Sequence, residues 1–445
     1  MKGRSNWNFS GISHKVTSRA VTNRGFFTLS AMLIFEISIA YGILFSLAAE
    51  APSLTPLPDP DPSPTESLPP APEPSNSPSP SPIALPSVEL TPQGQLINPP
   101  ETIKAVYLTS WSGGSQSRID YVIDLARTTG LNAVVIDIKD FSGEVAYETD
   151  VSEVKKYGAE RLKIRNIEAL IKRLHEANIY VVARVTVFQD PILARARPDL
   201  AVQSIAQEGI WADHKGLGWV DPASEEVWNY TVAIAQDAAS RGFDEINFDY
   251  VRFPSDGNLQ DMQFPVWDEQ TLKRAVIREF FAYLREQMDD VVISVDLFGL
   301  TTSSNGDLGI GQVIEDAYEY FDYVYPMVYP SHYAIGYHGF RKPAEYPYEV
   351  VYSSMASAQA RLDALKLANP GREFAKLRPW LQDFDLGAMY DLLMVQSQVQ
   401  ATKDALLEKY IGFLLWAPTN WYTAEALNPF VFDAAAYQNR PRTAP

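Results

Sequence analysis

The chain contains no cysteine and only five histidines in 445 residues. The first absence excludes disulfide scaffolds, thiolate zinc sites and cysteine nucleophiles together. The second leaves little for metal chemistry: His14 precedes an apolar segment, His175 falls in a predicted helix, His332 and His338 share a loop, and no H-E-x-x-H spacing occurs. Also missing are the Gly-rich phosphate turns G-x-G-x-x-G and G-x-x-x-x-G-K-[ST] and the serine nucleophile elbow G-x-S-x-G. The loop D-G-N-L-Q-D (256–261) lacks the twelve-residue calcium pattern. No metal or cofactor is expected. Positive charge is scarce too, with 37 Lys+Arg against 55 Asp+Glu and a formal charge of −18. An acidic body without a basic stripe excludes nucleic acid, whose phosphates demand Lys and Arg.

What is present divides the chain. Residues 1–25 carry five basic residues and no acid, and the segment 26–49, FFTLSAMLIFEISIAYGILFSLAA, holds a single charge at Glu36. About 20 apolar residues suffice to span a bilayer. The sequence therefore predicts a basic cytoplasmic tail (1–25) and a transmembrane signal-anchor (26–49). By the positive-inside rule the remainder then lies outside the cytoplasm, tethered to the cell membrane by one pass. A cleaved signal peptide is the alternative, since Ala49-Glu50-Ala51 has the small-x-small form, and it would make the protein secreted. Residues 51–100 hold 17 prolines among Ser, Thr, Asp and Glu, a composition that buries too little apolar surface to offset its ordering entropy. The reading is a disordered linker over 50–101, a globular domain over 102–432 and a short tail over 433–445.

Within the globular part, eight apolar runs alternate with amphipathic helical stretches. The runs are Ala105–Ser110, Asn132–Ile138, Tyr180–Val187, Glu245–Tyr250, Val291–Leu297, Asp322–Val328, Phe374–Leu381 and Ile411–Trp416. Eight βα repeats predict an α/β fold closed as a (β/α)8 TIM barrel, with a doubly wound open sheet as the alternative.

Strand side chains alternate faces, so each run splits into an inward and an outward set. Asp137 and Lys139, Arg184, Asn247 and Asp249, and Ser294 and Asp296 fall on the inward side of four consecutive runs. Burying several charges costs several kcal/mol apiece unless they are paired, and barrels carry their chemistry at the C-terminal rim. A salt-bridge cluster that merely fills the barrel is the competing account. Glycoside cleavage needs one carboxyl to protonate the leaving oxygen and another to act as nucleophile or to activate water. Asp249 and Asp296 form the best pair and Asp383 is the third candidate, with Lys139 and Arg184 placed to keep one of them ionised. Candidate substrate contacts are Asp137, Lys139, Arg184, Asn247, Arg252, Tyr329, His332, Trp111, Trp219 and Trp416; ring faces with polar edges suit sugars as they suit cores. Trp211, Tyr325, Tyr333 and Trp421 fall near the same rim, whereas Trp228 and Trp380 read as core.

The stretches A-V-Y-L-T-S-W, V-V-I-D-I-K-D, A-R-V-T-V-F-Q-D-P, W-V-D-P-A-S-E-E-V-W, G-F-D-E-I-N-F-D-Y-V-R-F-P, Y-P-M-V-Y-P-S-H-Y and R-P-W-L-Q-D-F resemble a bacterial family of glycosyl hydrolase barrels long filed as a domain of unknown function. The resemblance covers roughly residues 102–425 and implies a TIM-barrel glycosidase of the cell envelope. Asp137, Lys139, Arg184, Asp249, Arg252 and Asp296 match the family's charged motif positions. The fourth run is also distantly similar to the chitinase signature D-x-x-D-x-D-x-E. Counting from Asp244, however, Asn247 replaces the second Asp and Val251 the Glu, so substrate-assisted chitinase chemistry does not transfer. The expectation is a membrane-anchored glycoside hydrolase acting outside the cytoplasm on an envelope or secreted polysaccharide. The acidic body weakly favours neutral or amino-sugar polymers. A non-catalytic barrel that binds cell-wall glycan is the alternative, and a hydrolase of amide or acetyl-ester bonds would need a metal or nucleophile that the sequence lacks.

Overall fold

The computed structural model describes residues 94–442. The basic tail, the apolar segment and nearly all of the Pro-rich stretch lie outside the described residues. Among the described residues no helix is long and apolar enough to cross a membrane.

Eight parallel strands close on themselves: β1 (Ile103–Leu108), β2 (Ala133–Lys139), β3 (Tyr180–Thr186), β4 (Glu245–Asp249), β5 (Ile293–Phe298), β6 (Tyr323–Val328), β7 (Trp380–Gln382) and β8 (Gly412–Trp416). Each pairs with the next, and β8 pairs back onto β1 with Gly412 opposite Ile103. Gly412 is required there. Its φ is +115°, and a Cβ would sit 1.8 Å from the Ile103 carbonyl oxygen. The helices α1 (Gln116–Thr128), α2 (Ile167–Glu176), α3 (Glu225–Ser240), α4 (Lys273–Gln287), α5 (Ile314–Tyr320), α6 (Pro347–Ala368) and α7 (Leu392–Leu406) follow β1 to β7 in turn. The expected (β/α)8 barrel is the observed one.

Strand alternation separates two apolar layers. Val134, Ile136, Ile246, Phe248, Val295 and Leu297 face the helices in the large outer core, while Ala105, Tyr107, Val135, Val182, Tyr325, Trp380 and Leu414 fill the barrel interior. At the N-terminal end of the interior, buried Glu245 accepts from Tyr180 Oη at 3.2 Å, from Arg378 Nη1 at 3.3 Å and from the Tyr325 hydroxyl. Tyr325, placed near the rim by the sequence, is therefore a core residue at the opposite end. Glu245 and Arg378, which the sequence reading did not single out, pair inside the barrel below the rim cluster.

Residues on both sides of 102–432 also make contacts with the barrel. Leu96 packs against the barrel interior, and its N–H donates to Asp244 Oδ1 at 2.6 Å. The stretch assigned to a tail forms the helix Ala434–Gln438, whose Tyr437 is buried against Tyr390 and Met394.

Candidate active site

The site is built from the inward residues of β2 to β5. Arg184 enters from β3 and meets three carboxylates: its Nη1 donates to Asp137 Oδ1 at 2.6 Å, its Nη2 to Asp249 Oδ2, and its Nε to Asp296 Oδ2 at 3.3 Å. These attractions raise the Arg184 pKa further, against the opposing effect of burial. Tyr107 Oη, from β1, donates to the second oxygen of Asp137 at 2.5 Å. Asp137 thus sets the position of Arg184 beneath the other two acids. Burial raises its pKa, and Arg184 opposes the rise.

Asp249 ends β4. Its Oδ1 accepts the N–H of Tyr250 at 2.6 Å, and Tyr250 takes a left-handed φ of +54°. That conformation is costly for an aromatic residue and is found where function over-determines the backbone. Asp296 lies on β5, its Oδ1 accepting both Asn247 Nδ2 at 3.0 Å and Trp380 Nε1 at 2.8 Å. Burial first, and the charge of Asp249 second, push the Asp296 carboxyl up to about 7, against the pull of Arg184 and the two donors. One carboxyl that holds its proton near neutrality beside another fixed on a guanidinium is a division of labour suited to acid–base chemistry.

Above the cluster opens a cavity of about 220 Å3. Arg184, Asp249, Asp296, Arg252, Tyr329 and Trp416 all line it, together with Tyr107, Phe298 and Trp380. Trp416 tilts against Tyr107 and Tyr329, with centroids 6.2 and 5.7 Å away, forming an apolar wall opposite the acids. Phe298, Met327 and Tyr329 also line a smaller apolar recess of about 60 Å3 that contains His332, where burial lowers the imidazole pKa to about 4. His332 is thus neutral in the physiological range and one step removed from the carboxylates.

The remaining sequence candidates stand elsewhere. Asp383 does not line the cavity with the pair; its two oxygens accept Thr423 N at 2.8 Å and Thr423 Oγ1 at 2.7 Å, tying the loop after β8 to β7. Lys139 follows a register shift in β2 that turns it aside, and its Nζ pairs with Asp190 at 2.9 Å and donates to Thr186 O at 2.7 Å. Asn247 and Asp137 are buried beneath the cavity, positioning Asp296 and Arg184 rather than facing a ligand. Trp219 is fully buried, its Nε1 bonded to Asp213 at 3.1 Å, and it supports Arg252, whose guanidinium stands 4.9 Å from its ring. Trp211 is buried with its Nε1 on Asn258 O, and Tyr333 is buried against Ser354. Trp111 is exposed beside Lys163, and Trp421 is exposed under Arg118; neither lines the cavity. Among the described residues no group of His, Asp and Glu is arranged to hold a metal ion.

Sequence reasoning passed over Tyr107 and assigned Trp380 to the core alone. Both lie on the inward parity of their strands, which was the available signal. Apolar size concealed the one polar atom each brings to an acid.

A family model described as "putative glycosyl hydrolase domain" matches residues 105–422. No curated protein matches the sequence. Solved structures similar to it include a hypothetical protein from Ruminiclostridium thermocellum, 41% identical over 43% of this chain and 96% of its own, with a TM-score of 0.40. An alpha-galactosidase from Thermus thermophilus is 14% identical over 78% of this chain and 63% of its own, TM-score 0.45. Alpha-L-fucosidase isoenzyme 2 from Paenibacillus thiaminolyticus is 12% identical over 73% of this chain and 48% of its own, TM-score 0.49. The chain thus spans less than two thirds of the length of either enzyme. The family match runs from β1 to the loop after β8, through every strand that carries the Arg184 cluster, and the chain belongs to that glycosyl hydrolase family.

Proposed function

We propose that the barrel cleaves O-glycosidic bonds of a polysaccharide, with Asp296 as proton donor to the leaving oxygen and Asp249 as the carboxylate that attacks the anomeric carbon or activates water. The observation that carries this reading is the shared guanidinium: Arg184 contacts both acids on the cavity floor, and burial pushes the Asp296 carboxyl up to about 7. Cleavage then moves the Asp296 proton to the glycosidic oxygen as the bond to the anomeric carbon breaks, and the negative charge of Asp249 stabilises the oxocarbenium-like centre. The apolar wall of Trp416, Tyr107 and Tyr329 supports a sugar ring stacked across from the acids.

The substrate is an envelope or secreted polysaccharide and the domain works outside the cytoplasm on a membrane tether. This part rests on the basic tail, the apolar segment 26–49 and the Pro-rich spacer. The rival is a glycan-binding barrel in which the Arg184 cluster is structural, its one guanidinium holding three acids in place inside the barrel. Reducing-end release from a panel of envelope polysaccharides separates the two. Turnover that vanishes in Asp249→Asn supports the hydrolase, while equal glycan binding by both proteins without any release supports the binding module.

A further inference from the structure

One buried base in the cavity has no acid partner. Lys139, Lys163 and Arg378 are buried, and each lies within ion-pair distance of a carboxylate, as does Arg184. Arg252 is 6% exposed, yet no Asp or Glu of the described residues approaches it to ion-pair distance; Asp256, Asp249 and Asp213 act on it from farther away. Its position is nonetheless well determined. Nη1 donates to Phe253 O at 3.2 Å and to Ser255 Oγ at 2.9 Å. The rings of Phe298, Trp219 and Tyr250 surround the guanidinium, their centroids 4.8, 4.9 and 5.2 Å from its carbon. Nε and Nη2 make no hydrogen bond to any described residue, and the side chain lines the cavity that holds Asp249 and Asp296. Lys215 lines the same cavity.

A buried cation without a counter-ion is strongly unfavourable, and aromatic faces return only part of that cost. The parallel N–H bonds of Nε and Nη2 form the fork that receives a planar oxyanion in two hydrogen bonds. We propose that this fork is a subsite for a carboxylate carried by the substrate, so that the enzyme acts on an acidic polysaccharide with a uronic-acid-type sugar next to the scissile bond. The proposal rests on the hydrolase reading above and names its substrate class. It overrides the preference for neutral polymers suggested by the charge of the whole chain, because a group two hydrogen bonds away outweighs a screened field from distant surface acids. A carboxylate fits better than a phosphate dianion, since Asp213 and Asp256 line the same cavity and would repel a second charge.

The test uses the full-length chain in detergent with three uronate polymers of different backbone (polygalacturonate, alginate and hyaluronan), each beside its carboxyl-reduced form, and with dextran and dextran sulfate. Binding by calorimetry and reducing-end release are both measured. At least one uronate polymer should be preferred over its reduced form by about ten- to a hundredfold, the range of hydrogen bonds to a charged group. Arg252→Met should collapse that ratio with the melting temperature unchanged or higher, because a buried unpaired charge is removed. Arg252→Lys, which keeps the charge and loses the fork, gives the same readout should the Met variant fail to fold. Indifference to carboxyl reduction, a ratio that survives both variants, or a preference confined to dextran sulfate overturns the proposal. The two readings fail separately. Neutral glycans cleaved in an Asp249-dependent way, with uronates ignored, would remove the carboxylate subsite and keep the hydrolase. Arg252-dependent uronate binding without any cleavage would keep the subsite and remove the hydrolase.

Discussion

Trp380 donates its indole N–H to Asp296 across the barrel interior at 2.8 Å, from β7 to β5 over the intervening β6. The same carboxylate oxygen accepts the Asn247 amide. With Oδ1 engaged twice, Oδ2 is left to face Arg184 at 3.3 Å. The orientation of one acid is thus fixed from strands on both sides, while Asp249 is fixed by Arg184 and its own neighbour's N–H.

Asp249→Asn keeps size and hydrogen-bonding capacity but removes the charge that a nucleophile or base requires. Turnover should fall by at least about two to three orders of magnitude, the contribution of a positioned acid–base group. Thermal unfolding should be nearly unchanged. Near-wild-type turnover would take Asp249 out of the reaction.

The raised pKa of Asp296 sets a pH limb. A proton donor is active while protonated, so kcat/KM should decline as pH rises through about 7. Asp296→Asn should lose both most of the activity and that limb. A profile flat to pH 9 in the wild type would assign proton donation to another group.

Arg184 and Lys139 should behave differently from one another. Arg184→Met leaves Asp137, Asp249 and Asp296 facing each other, and breaking a buried pair of this kind costs about 3–5 kcal/mol. In the variant the crowded acids hold protons that the unfolded chain releases, so the native state binds more protons and its stability falls as pH rises above the ordinary carboxylate range. Urea unfolding of variant and wild type at pH 5 and pH 8 should show the larger deficit at pH 8. Lys139→Met instead strands the buried Asp190, whose Oδ1 caps the helix Pro191–Ala196. It should cost a similar few kcal/mol, with the Asp249 chemistry affected only through folding. A large loss of turnover at full stability would restore Lys139 to the site.

Asp383→Asn tests the third carboxylate. It weakens the hold on Thr423, which predicts a stability loss of about 1–2 kcal/mol and less than a tenfold change in kcat/KM. A loss of turnover comparable with that of Asp249→Asn would show that Asp383 takes part directly.

A soluble fragment beginning at residue 94 should fold by itself, since the barrel closes without the preceding chain. One beginning at 101 should be less stable by about 1 kcal/mol for the lost Leu96 to Asp244 hydrogen bond alone. Equal melting temperatures would mean that the Leu96 contact contributes nothing.

The closed barrel and the inward set on β2 to β5 were legible in the residues, because βα alternation and strand parity are local and repeat eight times. Asp137, Arg184, Asn247, Asp249 and Asp296 needed only the period of two to be assigned to one interior. Tertiary structure alone decided which of them touch. The shift in β2 at Asp137 and Lys139 sends that lysine to Asp190, and no count along one strand reveals a partner fifty residues away. Glu245 and Asp249 share one strand face, yet four residues place one in a structural cluster with Arg378 and the other beside the cavity. The aromatics divided for the same reason. Trp219, Trp380 and Trp416 are chemically alike in sequence, and only the packing of distant strands determined that the first supports Arg252, the second bonds Asp296 and the third faces the cavity. The missing counter-ion of Arg252 was beyond any sequence reading, because an unpaired charge is defined by what every other residue in the fold does not do.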